Sequence, residues 1–134
     1  MNLAPVVRYI ILCEDARYEG DDAKHLNIYG LTLRLRSDSG NFPARFPRLC
    51  TFLVLGNGRG KGTGAVTGIH DDTGLVCWRT PPQTLRFFAN PLGIRGAYFR
   101  VTNPIFPEPG AYTIEFRYNG VVLATQSPVV EGRR

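Results

Sequence analysis

An all-β fold, a single antiparallel sandwich of about eight or nine strands, is predicted by three observations. Turn residues recur roughly every 8–12 positions. Between them apolar and polar residues alternate, and no segment holds a helical apolar period for any useful length. The third observation is local. Tyr112, Ile114, Phe116 and Tyr118 alternate with Thr113, Glu115 and Arg117. Asn119-Gly120 follows, a pair that accepts positive φ at both centres of a type I′ turn, and Val121 to Ala124 returns. That stretch predicts a β-hairpin with one buried face. The layout expected is immunoglobulin-like or C2-like.

The other elements follow in order. Val6 to Glu14 reads as the first strand, with Val7, Tyr9, Ile11 and Cys13 on one face. Residues 19–23 form a polar turn. His25 to Arg36 reads as a long strand region, in which Leu31, Leu33 and Leu35 oppose Thr32, Arg34 and Arg36. Gly30 inside it predicts a bulge or a bend between two sheets. After a turn at 37–40, Phe42-Pro43 and Phe46-Pro47 predict an extended crossover carrying aromatic plugs. Leu49 to Leu55 is apolar enough for a central strand.

Gly56 to Gly64 reads as a Gly-rich, basic loop between strands. Ala65 to His70 is a strand ending in the turn Asp71-Asp72-Thr73-Gly74, with Gly at the left-handed position. Leu75 to Arg79 is its partner, stopped by Pro81-Pro82, and Thr84 to Phe88 is the next strand before a turn at 90–93. Ile94 to Val101 places Ala97, Phe99 and Val101 on one face, and residues 103–110 form a Pro-rich loop. Ser127-Pro128 marks a sheet edge or a chain end.

Composition bounds the reading. A chain of 134 residues, 43% hydrophobic and 20% charged, suits one globular domain over residues 1–134 that needs neither metal nor disulfide for its core. The net charge is +5, and all 16 basic residues except Lys24 and Lys61 are arginine. Arginine in excess suits phosphate or carboxylate recognition, or reflects codon bias. The basic residues are spread along the chain, which favours solubility over a nucleic-acid groove. Cys13, Cys50 and Cys77 are odd in number, lack CxxC spacing and sit in apolar runs. They are expected as reduced core residues, which points to the cytoplasm.

The apolar run Val6 to Cys13 is broken by Arg8, has no basic segment before it, and carries bulky Leu12 just before Cys13. No signal peptide is expected there. No stretch approaches the roughly 20 apolar residues of a spanning helix.

With these elements in place, the chain resembles an uncharacterised family of small bacterial β-sandwich proteins. The likeness rests on Ile11 to Ala16, Gly58 to Gly62, Asp72 to Gly74, Asn90 to Gly93, Gly96 to Arg100, Phe106 to Gly110 and Tyr118 to Gly120. The resemblance implies a compact antiparallel sandwich and carries over no catalytic residue.

Candidate sites are few. A phosphate loop needs GxxxxGK followed by Ser or Thr, leading into a helix. Here Lys61 is followed by Gly62, Leu55 stands where the first glycine belongs, and no helical pattern follows. What remains is a strand connection, or an anion-binding concavity built from Arg59, Lys61 and open backbone N–H groups. His70-Asp71-Asp72 with Glu14, Asp15, Asp21 and Asp22 would suit calcium at a sandwich rim, yet Asp-Asp-Thr-Gly is also what a tight turn wants. His25 and His70 lack zinc-ligand spacing. Phe87, Phe88, Tyr98, Phe99 and Phe106 near Arg86, Arg95 and Arg100 would suit stacked single-stranded nucleic acid. The more economical reading puts the rings in the core and lets arginine stems cover strand edges.

The function expected is a non-enzymatic cytosolic binding or assembly module with no cofactor or metal. Its partner is expected to be a protein, further copies of itself included, met through the loops at 56–64, 90–96 and 103–110 or an open sheet edge. The first alternative is anion or nucleic-acid binding by Arg59, Lys61, Arg86, Arg95 and Arg100. The second is a small metal- or thiol-dependent enzyme built on Cys13, His70 and Asp71.

Overall fold

The computed structural model describes residues 2–18, 26–31, 35–37, 40–87 and 94–132. Its strands run in chain order as β1 (Val6–Tyr18), β2 (Leu26–Leu31), β3 (Leu35–Arg36), β4 (Ala44–Arg45) and β5 (Arg48–Gly56). They continue as β6 (Gly60–His70), β7 (Val76–Arg79), β8 (Gln83–Phe87) and β9 (Ile94–Thr102). The last are β10 (Ile105–Phe106), β11 (Gly110–Tyr118), β12 (Val121–Gln126) and β13 (Val129–Glu131). There is no helix among the described residues. The all-β sandwich is as expected, with more strands than expected. The excess is β3, β4, β10 and β13, each too short for alternation to register and each held by a partner far away in sequence.

The first sheet has the order β2-β1-β5-β9 and is antiparallel throughout. The second is built on the antiparallel pair β6–β11. Along one side of β6 lie β7 and then β8; along the outer side of β11 lie β13 and then β12. Proline interrupts both edges, at Pro81-Pro82 and at Pro128, because it cannot donate to a ladder. Ser127-Pro128 is therefore an interruption, after which β13 continues the chain and pairs with β3 in parallel. Thr80 carries the first edge across its break: its N–H donates to Val66 O and its Oγ1 accepts from Val66 N, both at 2.9 Å.

The main core lies between the sheets. Leu12, Leu49, Leu53, Leu55, Ala97 and Phe99 meet Val66, Leu85, Tyr112, Ile114, Phe116 and Tyr118. The hairpin face read from alternation is fully inward, and Asn119 and Gly120 take φ of 51° and 81°, as a type I′ turn needs. The crossover also behaves as expected. Phe42 and Phe46 cover the core, and Phe46 meets Phe106 edge-on at 5.4 Å.

Three expectations are corrected. A register shift between Val7 and Tyr9 reverses the facing of β1. Val7 therefore joins the main core, whereas Ile11 and Cys13 belong to a second cluster with Ala16, Cys50, Phe52, Val54 and Tyr98. A bulge adds one residue, and strict alternation cannot anticipate it. At Gly30 the register with β1 runs through unshifted, so no bulge stands there. Its φ of +62° and the Glu14 side chain lying against its α-carbon explain the glycine instead. The chain changes sheets between Leu31 and Leu35.

The third correction concerns 56–64. This segment is a short turn followed by strand, because β6 begins at Gly60. Gly62, Gly64 and Gly68 sit two or four residues apart on the inward face. A side chain at Gly62 would overlap the Tyr118 ring, and at Gly64 it would lie 3.0 Å from both Leu85 and Phe116. The glycines make room for large rings, and their period of two is a strand signal.

Residues 19–23, His25, 32–34, Asp38, Ser39, Phe88 and 90–93 lie outside the described residues. So do Asp21 and Asp22.

Tyr112 ties the Pro-rich segment to the sheet. Its hydroxyl donates to Glu108 O at 2.5 Å and accepts from Glu108 N at 3.2 Å. A buried tyrosine bonded to backbone a few residues upstream is the tyrosine corner of Greek-key sandwiches. Tyr112→Phe is expected to lose about 1 kcal/mol in urea unfolding while keeping the fold. An unchanged midpoint would mean that water replaces these bonds at no cost.

Candidate functional site

Of the residues singled out for anion binding, four meet at the sandwich end that carries the β5–β6 turn. Lys61 on β6 and Arg86 on β8 are Cα partners, and both are exposed. Arg59 lies in the turn, held by its backbone bridge to Leu3. Arg95, near the start of β9, donates to Arg86 O at 2.6 Å and so links the two sheets across their edge. Like charges directly opposite on adjacent strands destabilise a sheet. Among the described residues no carboxylate pairs with Arg59, Lys61, Arg86 or Arg95.

Arg8 joins this rim and was missed as a site residue. The β1 bulge turns it to the surface, where its guanidinium lies across Gly56, 2.7 Å from where a Cβ would stand. Its only sequence signal was as an interruption of an apolar run. Exposed aliphatic side chains flank the cations. Val6 and Ile94 both align with Gly56 in the first sheet, Leu3 lies beside Arg59, and Val121 follows the hairpin turn. Each is at least 50% exposed. Among the described acidic side chains, Asp71 and Asp72 follow the opposite end of β6, Glu115 pairs with Arg117, and Glu131 pairs with Arg36.

Arg100 does not belong to the rim. It is the Cα partner of Cys50, well along β9 from Arg95, and its Nε donates to Asp15 Oδ1 at 2.6 Å. Its guanidinium also stacks 4.5 Å over the Tyr98 ring and donates to Ala16 O. Asp15 is 4% exposed and gathers Arg17 at 2.7 Å and Arg48 at 3.7 Å as well. Burial by itself raises its pKa, but hydrogen bonds from Arg100 and Arg17 outweigh burial and hold the carboxyl well below the usual carboxylate range. The charge of this carboxylate is already matched by arginines rather than left for calcium, and it lies in the other sheet from Asp71.

The remaining candidates disperse. His70 is buried, its Nδ1 3.1 Å from Thr73 Oγ1 and its ring 4.9 Å from that of Tyr112. Asp71 accepts a hydrogen bond from Thr113 Oγ1 at 2.6 Å. Cys13 lies in the second cluster of the first sheet, so Cys13, His70 and Asp71 are not brought together. No group of three or more His, Cys, Asp or Glu placed to hold a metal exists among the described residues. Phe99 and Phe106 are fully buried and Phe87 half-buried against the main core, which leaves Tyr98 as the described aromatic of that set outside it. Trp78 is a core residue. No helix among the described residues is long and apolar enough to cross a membrane.

No family model and no curated protein sequence matches the chain. Among solved structures it is similar to a glycosyl hydrolase family 2 member from Bacteroides cellulosilyticus, at 12% identity and a TM-score of 0.44 over 81% of this chain and 17% of that one. A second such structure, from Bacteroides cellulosilyticus DSM 14838, gives 13% identity and a TM-score of 0.44 over 87% of this chain and 19% of that one. The chain thus spans less than a fifth of either protein, and the likeness carries no argument about activity.

Proposed function

We propose that the chain is a non-enzymatic binding module whose contact surface is the rim of Arg8, Arg59, Lys61, Arg86 and Arg95. Its partner is an acidic protein segment with apolar side chains. The observation that carries this reading is the register pair Lys61–Arg86, two cations face to face with no carboxylate paired to either among the described residues. A sheet tolerates such a pair at a cost, and a bound anion removes it. The aliphatic residues Leu3, Val6, Ile94 and Val121 around the cations outnumber the exposed aromatic Tyr9 beside Arg8, which favours a protein partner, since single-stranded nucleic acid is gripped by several exposed aromatic faces. Three free cysteines support a cytoplasmic location.

The test is fluorescence anisotropy of a labelled Glu/Leu-repeat peptide and of a labelled oligothymidylate, each at low and high salt. The peptide is expected to bind with strong salt dependence. Lys61→Glu/Arg86→Glu should weaken it about tenfold or more, while Arg45→Glu, a charge reversal elsewhere on the surface, leaves it unchanged. Salt-insensitive binding, or equal weakening by Arg45→Glu, would overturn the rim. Oligothymidylate binding more tightly than the peptide would overturn the choice of partner.

A further inference from the structure

The second cluster holds a pair of groups that the binding rim does not use. Cys13 on β1 and Cys50 on β5 are Cα partners, and both are fully buried. Residues directly opposite on antiparallel strands stand about 4.5–5.5 Å apart at Cα, inside the roughly 4.4–6.8 Å that a disulfide spans. Their side chains share a face, and Cys13 Sγ lies 3.7 Å from Cys50 O. Both thiols are free.

We propose that Cys13 and Cys50 are a peroxide-responsive dithiol that closes to a cross-strand disulfide. The two sulfurs are not equivalent. The Cys50 side chain lowers the Cys13 pKa against burial and the nearby Asp15 charge, and Arg100, the Cα partner of Cys50 on β9, adds a smaller lowering. The Cys13 side chain, then burial, push Cys50 up. In the proposed step Cys13 attacks and Cys50 resolves; the disulfide formed is the same for either order. The Cys13 thiolate attacks one oxygen of hydrogen peroxide, the O–O bond breaks, and the leaving hydroxide takes a proton to become water. The Cys13 sulfenic acid is then attacked by the Cys50 sulfur, which gives up its proton. The S–O bond breaks and a second water leaves. Two thiols and one peroxide become one disulfide and two waters.

Full burial selects the oxidant. Peroxide is close to water in size and reaches the pair through ordinary breathing of the sheet. A glutathione disulfide needs room that this cluster does not offer. Cys77 is half-buried, faces no second cysteine, and stays a thiol or forms an adduct.

The test uses full-length Cys77→Ser protein, treated with hydrogen peroxide or with oxidised glutathione, then unfolded in iodoacetamide and weighed intact. After peroxide the mass is expected to fall by two hydrogens with no alkylation, and dithiothreitol reverses this. Oxidised glutathione in the same time leaves both thiols alkylated. Peptide mapping of the wild-type chain for a Cys13–Cys50 link reads the same bond if the variant does not fold. Two alkylated thiols after peroxide, or added oxygen at Cys13 with Cys50 still free, would overturn the proposal. Equal oxidation by glutathione disulfide would overturn the selection by size.

Discussion

Gly68→Val is expected to cost about 3 kcal/mol or more and to drive Trp78 out of the core. Gly68 and Trp78 are Cα partners on β6 and β7, and the indole lies over the glycine. A Cβ at Gly68 would stand 2.6 Å from Cζ2 and 2.7 Å from Nε1. The indole also meets the Phe106 ring in an edge contact at 6.3 Å, which limits its freedom to move aside. An aromatic laid across a neighbouring strand's glycine also shields backbone that the glycine leaves bare. Trp78 is the one tryptophan of the chain, so its emission reads the site directly. The variant should show a red-shifted folded-state emission and a lower urea midpoint. Gly68→Ala should move both in the same direction by less. Unshifted emission with an unchanged midpoint would mean that the indole is not held over Gly68.

The second large effect is at Asp15. Asp15→Asn is expected to cost about 1.5–3 kcal/mol at neutral pH, because it removes charged hydrogen bonds at a buried carboxylate, while the half-exposed arginines around it stay solvated. The pH dependence has a definite sign. The folded-state pKa of Asp15 is depressed by Arg100 and Arg17 in spite of burial, so its stabilisation is complete above the unfolded carboxyl value of about 3.9. It is lost as pH falls below that value towards the folded one. Urea midpoints of the two proteins should therefore differ most above about pH 5 and converge as the medium becomes strongly acidic. A gap that stays constant with pH would show that Asp15 acts by shape and not by charge.

Much of this fold was legible because its strands are amphipathic. Tyr112 to Tyr118, Asn119-Gly120 and Ala97 to Val101 each state their facing and turn in local chemistry. The misreadings have one physical cause. A bulge between Val7 and Tyr9 changes phase without changing composition, so it hid that Ile10 and Leu12, and not Ile11 and Cys13, share the main core with Val7. The glycines of 56–64 read as a loop, whereas the inward positions of Gly62 and Gly64 serve the rings of Tyr118, Phe116 and Phe99. Those rings lie far off in sequence and were not visible as partners. Arg100 was grouped with Arg95 because the two are near in sequence, yet a strand carries them well apart, one to the rim and one to Asp15.

The sequence by itself determined the class: many short amphipathic strands, turn chemistry between them, and enough apolar area for one core. Pairing was left to tertiary structure. That Lys61 faces Arg86, that Cys13 faces Cys50 and that Asp15 collects arginines from its own strand, β5 and β9 are matters of register. Register is settled by the packing of two sheets at once, since a slip of one residue would turn every buried side chain to the opposite face.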